Sequence, residues 1–314
     1  MRPAASILLL TTLTGFGYGL LAWLGAYTAL GLLPGSRGAL LSAAGTALSL
    51  LLASIGLAAS TLHLGRKAPA WRALTQWRSS WLSREAVAAA LAYPVALAFG
   101  FTAWRHGQAV VSRLLGALAL VWSLGTVYCT AMIYASLKPI RQWHNAHTAL
   151  DYILYAIFSG AILFATLRAI VFGVPGTVAS LSAAAAAAVA LLAKCAYWRH
   201  IDRQTPLATL AAAIGLPKHI EARPLDAPHF TENYVLREMG FAIARRHASR
   251  LRSLALGIGF ALPLALSVLA GMGRVSVSIT ALALLCTALG LLMERWLFFA
   301  QATHVAALFY GKKA

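Results

Sequence analysis

Apolar residues run along this chain in eight long stretches: Ser6 to Leu33, Ala39 to Leu62, Glu85 to Trp104, Val110 to Leu137, Leu150 to Phe172, Thr177 to Trp198, Leu254 to Met272 and Val275 to Phe298. Each is on the order of 20 residues long, the length a helix needs to cross about 30 Å of hydrocarbon. The runs are continuously apolar and rich in Ala and Leu, without the alternation of a strand that faces lipid on one side and a polar lumen on the other. The pattern therefore predicts an all-α integral membrane protein, a bundle of about eight transmembrane helices. Residues 1–314 form a single membrane domain, with an extramembrane loop at 199–252 and amphipathic helices in the loops. The even number puts both termini on one side. The first run is too long for the apolar core of a signal peptide and reads as a retained span. Ala183 to Ala188 read as a close-packing helix face.

Composition sharpens this. Hydrophobic residues make up 60% of the chain and charged residues 11%, against about 25% charged in a soluble domain, which excludes a water-soluble enzyme. Lys and Arg number 26 against 8 Asp and Glu, a net charge of +18. Most of the basic residues lie on the side of the termini, and Arg37, Arg105, Arg113, Arg168 and Arg274 on the other. The positive-inside rule then predicts cytoplasmic termini and cytoplasmic long basic loops. In so apolar a chain the basic surplus speaks of orientation and docking, not of nucleic acid.

Three hydrophilic segments face that side. In the first, His63 to Glu85, Trp71, Leu74, Trp77 and Trp81 follow Pro69 at helical spacing. That predicts an interfacial helix with its tryptophans down and Arg72 up, Arg78 snorkelling at its edge; an aromatic belt accounts for the same tryptophans. The second, Ser136 to Ala149, holds Lys138, Arg141, His144 and His147. The two histidines suit one helical face, but only Asp151 is near as a further metal ligand, so no metal site is expected. Asp151 suits the N-terminus of span five. The third, His200 to Arg252, is broken by Pro206, Pro217, Pro224 and Pro228. It then reads as a helix from Thr231, with Val235, Met239 and Ile243 opposite Arg237, Arg245 and Arg252, fit for anionic lipid or for an acidic or iron–sulfur partner.

Candidate chemistry is sparse. Cys129, Cys195 and Cys286 stand apart, and the nine histidines sit at span ends or in loops, which argues against an iron–sulfur cluster or a buried bis-histidine haem. Phosphate loops, nucleophile elbows and HExxH patterns are missing. There remains a proton-competent pair, His63 closing span two and Glu85 opening span three, which neighbouring antiparallel spans bring toward each other. A quinol must lose two protons with its two electrons. A histidine with a reference pKa of about 6.5 and a carboxylate at an apolar boundary suit that task. The plain alternative is that Glu85 pairs with Arg84 or caps span three while His63 is an interfacial polar tip.

Several stretches carry a resemblance. His63-Leu64-Gly65-Arg66, Gln76-Trp77-Arg78, Ser80-Trp81-Leu82-Ser83-Arg84-Glu85, Cys129 to Ala135 with Leu137-Lys138-Pro139, Trp143-His144-Asn145 and Asn233 to Phe241 resemble the membrane-anchor subunits of bacterial dimethyl sulfoxide reductases. The similarity extends to the related anchors of cytoplasmic sulfite dehydrogenases. Arg2-Pro3-Ala4-Ala5-Ser6 and Thr11 to Gly15 look like that second subgroup, whose members often begin His-Pro instead of Arg2-Pro3.

The resemblance implies an eight-span subunit of the bacterial inner membrane without haem or iron–sulfur cluster of its own. It would hold an iron–sulfur subunit and a molybdopterin catalytic subunit and exchange electrons with the quinone pool, menaquinone or ubiquinone. Electrons would flow from quinol in sulfoxide reduction or to quinone in sulfite oxidation. It also implies His63 and Glu85 as the proton acceptors, with Arg66 and Trp81 in the quinone pocket. Partner docking is expected on Arg72, Arg78, Arg141, Arg245, Arg246 and Arg250. The rival is a secondary transporter of a small anion built on Arg113 and Arg168. Against it, the midspan regions read as almost uncharged, no internal repeat is visible, and those arginines read as snorkelling residues.

Overall fold

The computed structural model describes residues 3–61, 71–72, 74–204, 209–217, 220, 222, 225, 247–273 and 276–306. These form helices α1 (Ala5–Ala29), α2 (Gly35–Thr61), α3 (Trp81–His106), α4 (Val110–Ala135), α5 (Ala146–Phe172), α6 (Thr177–Asp202), the short α7 (Leu210–Ala213), α8 (Ala248–Gly271) and α9 (Val277–Ala300). All but α7 are long and apolar enough to span a membrane, eight in number, and no strand occurs among the described residues.

Local chemistry sets the helix ends. The Ser80 side chain caps α3 and that of Asn145 caps α5, accepting from the Thr148 N–H at 3.2 Å. Gly173, with φ at 81°, ends α5 in the left-handed conformation. The first apolar run extends to Leu33, but α1 stops at Ala29, because Gly31 turns at positive φ and Pro34 has no N–H to continue a helix. Within α8, residues Gly257–Ala261 form a π turn just ahead of Pro263. A proline there lacks a donor and crowds the carbonyl four residues back, and the wider turn absorbs both defects.

The spans pack as two rings of four. In the first ring α1 meets α2, α2 meets α3, α3 meets α4 and α4 returns to α1; in the second α5, α6, α8 and α9 repeat the circuit. The seam is mainly α1 against α5, aided by α4 on α5 and α1 on α9. These two are the central helices: 67% of the apolar window is buried in each, against 33–39% in the other spans. They approach closely because Gly19 and Gly160 face each other, and a Cβ on either would overlap the backbone opposite. Leu51, Phe101, Leu114, Val121 and Leu192 are exposed on the outside, the surface that suits lipid.

Three expectations need correction. Trp71, Arg72 and Leu74 lie in a short 3₁₀ segment, 75–79 are turns, and Trp81 is the first residue of α3, so no single interfacial helix joins the tryptophans among the described residues. Ser79 and Ser80 explain the break, since serine side chains bond local backbone and favour caps over helix interiors. His144 lies before the cap of α5 with its Nδ1 2.6 Å from the Ala135 carbonyl, so it shares no helical face with His147, whose ring instead neighbours His200 at 4.9 Å. The third concerns charge. Lys194 and Arg295, among the basic residues assigned to the side of the termini, are buried inside the bundle. Arg252, read as part of the loop helix, belongs to α8 and bonds Asp202 at 2.7 Å and Gln301 at 3.2 Å. The rest of that loop helix, with Arg237 and Arg245, lies outside the described residues.

Candidate functional site

Glu85 sits one turn into α3, where the Ser80 cap fixes the start of the helix and turns this side chain toward α4. It is 6% exposed, and the Thr130 hydroxyl donates to its Oε1 at 2.6 Å. Arg84 points elsewhere. Its Nε donates to the Trp77 carbonyl at 2.9 Å and its Nη2 to that of Arg78 at 2.7 Å, with the guanidinium 4.2 Å from the Trp81 ring centroid. Glu85 therefore neither pairs with Arg84 nor caps the helix. Trp81, four residues earlier and on the same face, stands edge-on to Tyr128 of α4 at 5.8 Å. His63 and Arg66 lie outside the described residues, as do Arg245 and Arg246. Arg72, Arg78 and Arg250 are exposed, and Arg141 is half-buried.

Thr130 also borders a cleft at the seam of the two rings. Thr12 and Gly15 of α1, Thr130 of α4, Tyr152 and Tyr155 of α5 and Arg295 of α9 are among the walls of this narrow cleft, part of which is open to the surroundings. All these helices contribute residues near the end that lies on the side of the termini.

Next to the cleft is a buried ionic cluster. Glu294 Oε1 accepts from Lys194 and Oε2 from Arg295, while Asp151 Oδ2 lies 4.0 Å from Lys194 Nζ and accepts from the Tyr155 hydroxyl at 3.3 Å. Aromatic faces complete the shell. Lys194 Nζ lies 4.1 Å from the Tyr197 ring centroid, and the Arg295 guanidinium lies 4.3 Å from that of Tyr152 and 5.1 Å from that of Phe298. Over this end Trp143 donates to the Phe298 carbonyl at 3.0 Å and stacks on its ring. The cluster was missed in the sequence, although a signal existed: Asp151 and Glu294 are acids inside apolar runs, and ionisable residues at that depth are rare without a role. On the opposite side Arg113 donates to the Ala29 carbonyl at 2.9 Å, a cation at a helix C-terminus.

Comparison with known proteins agrees with this architecture. A family model described as the DMSO reductase anchor subunit (DmsC) matches residues 6–311. A subunit of the sulfite dehydrogenase of Allochromatium vinosum is 33% identical over an alignment covering 100% of both chains. The anaerobic dimethyl sulfoxide reductase chain YnfH of Escherichia coli is 31% identical over 124 residues, 37% of this chain and 41% of that one. On the strength of the full-length match and the eight-span bundle, this chain belongs to the DMSO reductase anchor subunit family.

Proposed function

We propose that this chain anchors a molybdopterin oxidoreductase complex in the membrane and exchanges electrons between the quinone pool and a partner iron–sulfur subunit. The observation that carries the reading is Glu85: a carboxyl group buried in α3, hydrogen-bonded to a threonine that borders the seam cleft. An isolated carboxylate in an apolar bundle is costly and is retained where proton traffic uses it. Two electrons and two protons separate quinol from quinone. Glu85 and His63 serve the protons, Arg66 and Trp81 complete the quinone pocket, and the electrons pass singly between the ring and the partner's cluster. The full-length likeness to a sulfite dehydrogenase subunit favours the direction in which sulfite and water yield sulfate, two electrons and two protons while quinone takes up two of each. The partner subunits dock on the basic face through the exposed Arg72, Arg78 and Arg250, with Arg141, Arg245 and Arg246, on the cytoplasmic side.

The test uses inner membranes carrying the whole complex. His63→Ala and Glu85→Gln each lower quinone-coupled turnover by about a hundredfold or more, the contribution of a positioned proton-transfer group. Turnover with a soluble artificial electron carrier, which bypasses the anchor, persists. Quinone-coupled turnover retained in both variants refutes the assignment. A chain that leaves the membrane alone, without molybdenum, iron or two larger partners, refutes the complex and favours the small-anion transporter.

A further inference from the structure

Glu294 and Asp151 share one ionic cluster, but not equally. Glu294 has each oxygen on a cation, one on Lys194 and one on Arg295. Asp151 is held more loosely. Its Oδ2 lies 4.0 Å from Lys194 Nζ and accepts from the Tyr155 hydroxyl at 3.3 Å, while its Oδ1 is buried without a hydrogen-bond partner. A carboxyl group bonded so sparsely can take and release a proton without breaking an ion pair, a costly event in a bundle interior, and Glu294 cannot. A purely structural cluster accounts for Glu294, Lys194 and Arg295 but leaves Asp151 unexplained.

Asp151 also stands in a row. His147, Asp151 and Tyr155 follow at intervals of four along α5 and so share one face of that helix. At the membrane edge His147 is half-buried, and its ring lies 4.9 Å from that of His200, which is exposed at the end of α6. At the other end of the row Tyr155 is a wall of the seam cleft, as is Thr130, whose hydroxyl donates to Glu85. The cleft leaves about 20 Å³ in which the centre of a water molecule fits, and one water needs roughly 10–15 Å³ on that measure. A hydrogen-bonding group is free to hold it. Thr12 Oγ1, on the cleft wall, is buried without a partner, whereas Thr11 and Thr14 donate to the carbonyls of Ile7 and Leu10 at 2.9 and 2.7 Å. With Thr12, Thr130 and Tyr155 around it, a water in the cleft has the polar neighbours, about two to four, that keep buried water in place.

We propose that Asp151 is a positioning residue for proton transfer, serving Glu85 across the seam through Tyr155, one water in the cleft and Thr130, and the aqueous edge through His147 and His200. The inference rests on the quinone reading above and extends it to the route by which Glu85 is reloaded. When quinone is reduced, Glu85 gives one proton to a ring oxygen. Thr130 passes its hydroxyl proton to the bared carboxylate and takes one from the water, the water takes one from Tyr155, and Tyr155 takes one from Asp151. Asp151 recovers its proton from the aqueous side past the two histidines, so one proton crosses the chain and every hydroxyl is restored. Quinol oxidation runs the same steps backwards.

The experiment measures quinone-coupled turnover of the purified complex in ordinary and heavy water. Asp151→Asn lowers it by about a hundredfold, the contribution of a positioned proton-transfer group, and raises the solvent deuterium isotope effect as proton delivery becomes limiting. Formate, a small acid that carries protons to the gap, restores part of the rate, and turnover with a soluble artificial electron carrier persists. Two further variants leave the ion pairs intact. Tyr155→Phe removes one hydroxyl of the chain, and Gly15→Val fills the cleft from its wall, where a Cβ meets nothing within 4 Å; each lowers quinone-coupled turnover. Rates within twofold of the unmodified complex in both of these overturn the relay, whatever Asp151→Asn does. A loss in Asp151→Asn that formate leaves unrelieved makes that residue structural and overturns it as well. If the unmodified complex turns over with the soluble carrier but with no quinone, the quinone reading falls and the relay with it.

Discussion

Glu294 holds each carboxylate oxygen on a different cation, and neither it, Lys194 nor Arg295 is more than 5% exposed at the side chain. At such a site the pairing matters more than any single charge, because a buried ion that loses its partner keeps its desolvation penalty and loses the compensation. Lys194→Met leaves Asp151 and Glu294 to share Arg295 and is expected to cost about 3–5 kcal/mol, read as a lowered Tm of the detergent-purified complex. Lys194→Met combined with Glu294→Gln restores one acid against one cation, so its Tm lies above that of the single variant. A double variant as unstable as the single one contradicts the network. At this scale the sequence was informative where a residue type is anomalous in its surroundings. Glu85 at the head of an apolar run stood out, whereas Thr130 is ordinary in a membrane helix and gains meaning only from its hydrogen bond to Glu85.

Among the elements, the crossing of α8 and α9 depends on Gly259 and Gly290, which face each other so closely that a Cβ on Gly290 would overlap Gly259. Gly290→Val therefore pushes the helices apart, and overpacking of that kind costs about 1–3 kcal/mol or more. The expected outcome is a sharp fall in folded chain recovered from membranes. Gly125 of α4 makes the control, since a Cβ there meets nothing within 4 Å. Gly125→Ala should leave recovery unchanged or improve it by up to about 1 kcal/mol of helix propensity. Equal recovery of both variants would exclude close packing as the reason for these glycines. Hydropathy located the helices because lipid demands long unbroken apolar runs. It failed for Trp71 to Trp81, where helical spacing was outweighed by the local bonding of Ser79 and Ser80.

For the whole molecule, the three spans α3, α4 and α5 between Ser79 and Val174 put these residues on opposite sides of the membrane. With the basic loops cytoplasmic, a cysteine at Val174 reacts with a membrane-impermeant maleimide in intact cells, and one at Ser79 reacts only after permeabilisation. The reverse result inverts the orientation and moves the partner subunits to the other face. Fold class, span number and charge asymmetry were determined by the sequence alone, since the cost of unsatisfied backbone in hydrocarbon leaves a chain this apolar few options. The family was legible there too, in motifs at segment ends. Only the tertiary structure decided that the spans close into two rings of four, that Thr130 rather than Arg84 meets Glu85, and that Asp151, Lys194, Glu294 and Arg295 gather beside a cleft. Those four residues come from three helices, α5 and α6, which are consecutive, and α9, whose Glu294 lies 100 residues beyond Lys194. Their meeting depends on which faces the small residues of α1, α5, α8 and α9 allow to touch, and helix-to-helix packing of this kind leaves no periodic trace along the chain.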